Sequence, residues 1–170
     1  LNASAPYEIK VEALKGGKLL ASQVHSFTTL SAPQGEKTAI TDENLLLAIQ
    51  EELGLKRELY KSDLERLTSL AAPNMNIESL QGLEDAVNLD HLVIYGNQIQ
   101  DLTPLSGLKK LIILDIGDNP ITEASALSNL LNVANLDLSY TDINDFTFLK
   151  DLEKLQVVYL YGNLQIEEHA

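Results

Sequence analysis

The sequence predicts an α/β solenoid: parallel strands alternating with short helical or 3₁₀ returns, preceded by a helical segment and, before that, a β-hairpin. Two observations carry this. The first is a period of 22 residues. Leu89-Asp90-His91-Leu92-Val93-Ile94-Tyr95-Gly96-Asn97-Gln98-Ile99 recurs as Leu111-Ile112-Ile113-Leu114-Asp115-Ile116-Gly117-Asp118-Asn119-Pro120-Ile121, and again as Val133-Ala134-Asn135-Leu136-Asp137-Leu138-Ser139-Tyr140-Thr141-Asp142-Ile143. A fixed period of this length marks stacked structural units. The second is a change of spacing inside each unit. Leu70, Leu92, Leu114, Leu136 and Val158 stand two residues before Ala72, Ile94, Ile116, Leu138 and Leu160, which is strand alternation. Later in the unit, Leu80, Leu102, Ala124 and Phe146 are followed at intervals of three by Leu83, Leu105, Leu127 and Leu149, then by Ala86, Leu108, Leu130 and Leu152. That spacing suits a short helical turn.

Each element has its own signal. In residues 1–30, Tyr7, Ile9, Val11 and Ala13 alternate, and Lys15-Gly16-Gly17-Lys18 signals a hairpin turn. Leu20, Ser22, Val24, Ser26 and Thr28 continue the alternation. A lone two-stranded hairpin is marginal, and its open edges leave association with a second copy open. Residues 31–39 are a linker by composition. In residues 40–66, Thr41 or Asp42 can cap a helix by accepting its free N–H groups. Leu45, Ala48, Ile49 and Leu53 form its apolar stripe, and Gly54 its stop. Ser62-Asp63-Leu64-Glu65 reads as a capping box for a second, shorter helix.

Residues 67–170 hold about five units. One unit cannot bury its apolar edge alone, whereas a stack makes one continuous core, each fully buried Leu contributing roughly 1.5–3 kcal/mol. Asn97, Asn119 and Asn163 share the position after the strand. Side-chain amides there can pair backbone groups that regular structure leaves unpaired. Met75 and Thr141 interrupt this structural column. Gly96-Asn97, Gly117-Asp118 and Gly162-Asn163 recur at the same turn, where glycine is expected to serve backbone geometry.

The pattern L-x-x-L-x-L-x-x-N-x-I resembles a leucine-rich repeat. The stretch Asp101-Leu102-Thr103-Pro104-Leu105-Ser106-Gly107-Leu108, with the lead-in from Leu67 to Glu84, resembles the 22-residue repeats of internalin-like surface proteins of Gram-positive bacteria. The resemblance covers roughly residues 40–166, with departures at Met75, Ala124, Thr141 and Gln165. It implies a helical N-terminal cap over 40–66 and a secreted or wall-attached location. It also implies a non-enzymatic role, with a host or cell-surface protein held on the concave strand face. Residues 1–30 resemble the last two strands of a fibronectin type III domain, with Tyr7-x-Ile9-x-Val11-x-Ala13 as the strand that would carry its buried column, which implies that they are part of a larger sandwich; the alternative is a hairpin that packs on the next segment. No closing segment is visible after Ile166, so the array is expected to continue in a longer chain.

Composition narrows the classes. The chain has 170 residues, no cysteine and a net charge of −13. Residues 67–170 hold fifteen acids and four bases, so the repeats carry most of this charge. Binding phosphate backbones needs clustered Lys and Arg, which argues against nucleic acid and anionic membrane surfaces. Cationic partners or Ca²⁺ are the electrostatically natural ligands. No run of 18 apolar residues occurs, and direct membrane insertion is not expected. His25, His91 and His169 are scattered without cysteine companions, which is a poor zinc pattern. No phosphate-cradling Gly-rich motif occurs, and no cofactor is expected.

In such a solenoid, residues between the inward strand positions face outward on the concave side. The outward columns are Ser69, His91, Ile113, Asn135 and Val157; Ala71, Val93, Asp115, Asp137 and Tyr159; and Pro73, Tyr95, Gly117, Ser139 and Tyr161. With strands about 4.8 Å apart, Asp115 and Asp137 are expected as neighbours, with Asp118, Tyr140, Tyr159 and Tyr161 close by. The functional reading is a partner site of carboxylates and aromatic anchors. The competing reading is a solvated face on a rigid spacer that displays other domains. An intracellular regulatory repeat protein is a third class, against which the fibronectin-like segment argues. Asp115 and Asp137 also suggest a Ca²⁺ site, although Ca²⁺ takes six to eight oxygens and only three carboxylates converge. A paired-carboxylate glycosidase would need a water-excluding cleft, which an open strand face does not supply.

Overall fold

A computed structural model describes residues 35–163 of the chain, together with the backbone of 6–15 and 18–28. It divides into two compact units between Gln34 and Gly35. In the first, β1 (Pro6–Lys15) and β2 (Lys18–Thr28) pair antiparallel, from Pro6 opposite Thr28 to Lys15 opposite Lys18. The register shifts between Ala13 and Leu14. The glycine pair of the turn and the side chains of both strands lie outside the described residues.

The second unit is built on a five-stranded parallel sheet. Its strands are β3 (Ser69–Ala71), β4 (His91–Val93), β5 (Ile113–Asp115), β6 (Asn135–Asp137) and β7 (Val157–Tyr159), adjacent in chain order. Leu70, Leu92, Leu114, Leu136 and Val158 stand in one register, so the period in the sequence is the register of the sheet. Short 3₁₀ turns return the chain at Leu83–Asp85, Thr103–Leu105, Ser125–Asn129 and Thr147–Asp151. The inward Leu, Ile, Val and Ala columns form one continuous buried core. At its far edge Leu155, Val158 and Leu160 are only half-buried. One column is displaced: Phe146 is half-buried, whereas Phe148, aligned with Gly82, Pro104 and Ala126, is buried. The Gln165 position of the next turn lies outside the described residues.

Ahead of β3, α1 (Glu43–Leu53) sends Leu45, Ala48 and Ile49 into the same core. Its cap is Asp42. Oδ1 accepts the N–H groups of Asn44 and Leu45, and Oδ2 those of Glu78 and Ser79 in the first repeat. One carboxylate thus starts the helix and ties it to the array. Gly54 ends the helix at φ 64°. The second helix, α2 (Lys61–Leu64), begins earlier than the Ser62 capping box implies. Asp63 lies in its first turn, where it accepts the Tyr60 N–H and a two-point pairing from Arg57 at 2.8 Å. The stretch read as a linker is bound from Glu36 onward: Lys37 bridges to Tyr60, Thr38 N–H donates to the Leu59 carbonyl, and Lys61 N–H to Glu36. Backbone pairing, which composition does not reveal, holds these residues.

Candidate functional site

The outward strand positions form the candidate site, and the scaffold beneath fixes their direction. The Asn97 amide accepts the N–H groups of Met75 and Ile77 and donates to the carbonyls of Ala72 and Ile94. Asn119 accepts from Ile99 and donates to Ile94, Ile116 and Gly117. Asn163 accepts from Thr141 N–H and donates to Leu138. Each amide sews the turn of its unit to the unit before it. Thr141 keeps one strand of this stitching, from its hydroxyl to the Leu138 carbonyl at 2.8 Å. Ile121 N–H, which a longer side chain would serve, turns to the Asn119 carbonyl instead.

Above this scaffold the predicted columns stand in register. His91 lies opposite Ile113, which lies opposite Asn135, which lies opposite Val157. Val93 lies opposite Asp115, Asp115 opposite Asp137, and Asp137 opposite Tyr159. His91 Nδ1 contacts Asp90 Oδ1 at 2.5 Å. The two central carboxylates each fold back on their own strand. Asp115 Oδ1 accepts Gly117 N–H at 3.2 Å and Asp137 Oδ1 accepts Ser139 N–H at 2.8 Å. Burial pushes the Asp115 carboxyl above the ordinary range, and the neighbouring Asp137 charge adds to this. Among the described residues no three His, Cys, Asp or Glu side chains converge as a metal-holding group.

The aromatic residues occupy the C-terminal ends of the strands. Tyr140, Tyr161, Tyr159 and Tyr95 are 67%, 64%, 44% and 39% exposed. Tyr159 and Tyr161 stack, with centroids 6.1 Å apart and planes 23° apart. Within the third outward column, Gly117 and Ser139 are buried. Gly117 does not take a positive φ. A Cβ there would meet the Ser139 carbonyl at 3.0 Å, so the residue answers close packing. The left-handed conformation falls one residue later, at Asn74, Gly96, Asp118, Tyr140 and Gly162. Sequence reasoning missed this column, although Gly and Asn at the position before the structural Asn are its signal.

A groove of about 700 Å³ opens elsewhere, at the strand starts, between Asp90, Lys110, Ile112, Ala134, Leu155 and Gln156. It takes in none of the tyrosines.

The fold is that of a leucine-rich repeat solenoid, with carboxylates and exposed tyrosines at its outward strand positions. Residues 87–129 match the model of the family described as Leucine Rich repeats (2 copies). Among solved structures, an internalin (InlF) from Listeria monocytogenes matches at 38% identity and a TM-score of 0.70, over 72% of this chain. The functional domain of InlJ from Listeria monocytogenes shares the fold at 22% identity and a TM-score of 0.66, over 75% of this chain and 28% of its own. This chain spans 37% of the InlF chain. Among curated proteins none matches the sequence. No helix of the described residues is long and apolar enough to cross a membrane.

Proposed function

We propose that the chain is a non-enzymatic protein-binding module whose partner lies on the concave strand face, with its contacts gathered at Asp115, Asp137, Tyr140, Tyr159 and Tyr161. One observation carries the reading: these tyrosines stay exposed beside carboxylates while the inward columns of β3 to β6 are buried in the core. Exposed aromatic clusters are what protein interfaces use, since Tyr gives large contact area with few torsions to fix. In this reading residues 40–66 act as the N-terminal cap of the array, since α1 covers the apolar edge that no repeat precedes. The parent is a secreted or wall-attached protein of a Gram-positive bacterium, and residues 1–30 are part of a fibronectin type III-like domain.

The test is capture on immobilised chain from extracts of host and neighbouring-cell surfaces, with the captured protein identified, purified and titrated. Replacing Asp137, Tyr159 and Tyr161 together by Ala should weaken binding at least 100-fold and shift the melting temperature little. Unchanged affinity in that variant refutes the concave-site reading and leaves the rigid spacer.

A further inference from the structure

The left-handed column contains one residue that does not belong there. Four of its five members are Asn74, Gly96, Asp118 and Gly162, residue types that adopt positive φ at little steric cost. The fifth is Tyr140, at φ 57°. A bulky side chain in this conformation is strained, and such strain persists where something else requires the residue. The scaffold does not require it, because Asn, Asp and Gly serve the same turn in every other unit.

The placement of the ring follows its column, in which the Asn74 side chain lies over Gly96 in the same way. The ring lies over Gly162, the equivalent residue one unit on, so closely that a Cβ at 162 has no room. Nothing of Tyr140 enters the core and its ring stays largely exposed; its N–H donates to the Tyr161 carbonyl, and Tyr159 and Tyr161 stack on each other. Asp137 stands directly across from Tyr159, and among the described residues only its Oδ1 is engaged, by Ser139 N–H. The outward strand positions carry no Lys or Arg. The lysines of residues 67–163 are Lys109, Lys110, Lys150 and Lys154, in the returns and their flanks. Across the sheet from Tyr159 there therefore stands a carboxylate, and the outward positions of these strands supply no cation to it.

We propose that Tyr140, Tyr159, Tyr161 and Asp137 form a receptor for an arginine side chain presented by an extended segment of the protein partner. A guanidinium is a planar, weakly hydrated cation that stacks on aromatic faces and forks onto a carboxylate, which matches plates and acid set side by side. Lysine, a compact and strongly hydrated charge, uses the plates less well. The proposal rests on the concave-face reading and makes it more specific.

The experiment is a ¹H–¹⁵N NMR titration of the whole chain with a soluble Gly/Ser peptide carrying three arginines, beside lysine and glutamate counterparts. The arginine peptide should shift amides of residues 137–141 and 159–162 and bind at least fivefold tighter than the lysine peptide, with no binding of the glutamate peptide. Tyr140→Asn installs a residue native to the turn. It should weaken arginine-peptide binding at least fivefold while the melting temperature holds or rises. Asp137→Asn should weaken binding as strongly, whereas Asp151→Asn, the same charge change on a return, should not. Wild-type affinity in Tyr140→Asn, equal losses in the two Asp variants, or equal binding of arginine and lysine peptides overturns the proposal. If the captured protein loses affinity on the triple Ala variant while the arginine peptide binds nowhere on the face, this inference falls and the binding function stands. If neither binds through the face, both fall.

Discussion

Replacing Asn119 by Ala removes the amide that holds the middle of the array, and its cost can be worked from the bonds. Asn119 serves Ile99 N–H and the carbonyls of Ile94, Ile116 and Gly117. The Ile94 carbonyl keeps a second donor, Asn97 Nδ2, and the Gly117 carbonyl keeps Gly96 N–H. Two buried groups lose their partner: Ile99 N–H and the Ile116 carbonyl. A buried unsatisfied group costs about 1–3 kcal/mol, so Asn119→Ala should cost about 2–6 kcal/mol. Asn119→Thr should recover the Ile116 carbonyl bond, as Thr141 does with Leu138, and cost about half as much. The assay is urea unfolding followed by far-ultraviolet circular dichroism. At a slope of about 2 kcal/mol per molar urea, a 4 kcal/mol loss lowers the midpoint by about 2 M. A loss under about 1 kcal/mol refutes the reasoning. It would mean that Ile99 N–H finds the Asn97 carbonyl, as Ile121 N–H finds that of Asn119.

Three further outcomes follow from the carboxylates. Asp42→Ala removes a helix cap and two charge-assisted bonds to the first repeat, so it should cost about 2–4 kcal/mol in the same assay, with Asp42→Asn intermediate. Acid should unfold the cap first. The Arg57 guanidinium beside Asp63 holds that carboxyl low, and for Asp42 four backbone N–H donors outweigh the burial that pushes it up. A lowered folded pKa gives stability that is complete above the unfolded value of about 3.9 and lost as pH falls through the folded one. Melting temperature should therefore drop below about pH 4, and less steeply in Asp63→Asn. Asp115 has the opposite sign: its raised pKa means that its charge costs stability at neutral pH, and stability is regained as pH falls through the folded value. Asp115→Asn should raise the neutral-pH melting temperature by about 1–3 °C, and an unchanged or lower value contradicts the burial argument.

Residues at fixed period were legible in the sequence because one physical constraint, stacking, acts on every unit alike. The inward Leu and Ile columns, the Asn amides and the register of Asp115 beside Asp137 all follow from it. What escaped depends on local backbone geometry. Gly117 and Asp118 are adjacent, and composition does not say which takes the left-handed turn; it is Asp118, at φ 49°. Phe146 and Phe148 are both apolar and two apart; the column picked out Phe146, half-buried against the core, and not Phe148, which is buried. Residues 36–39 look like a linker because backbone pairing to Leu59 and Tyr60 leaves no trace in side-chain type. The strain at Tyr140 is likewise invisible until φ is known, although its type differs from that of its column.

The central claim is that a protein partner covers the strand face at β6 and β7. Because the chain has no cysteine, single-cysteine variants report contact cleanly. Cysteine placed at Asn135 on the strand face and at Asn129 on a return, both exposed, can be alkylated with and without the captured partner. The account predicts at least tenfold slower labelling at 135 and unchanged labelling at 129. Protection at 129 with free labelling at 135 would contradict it.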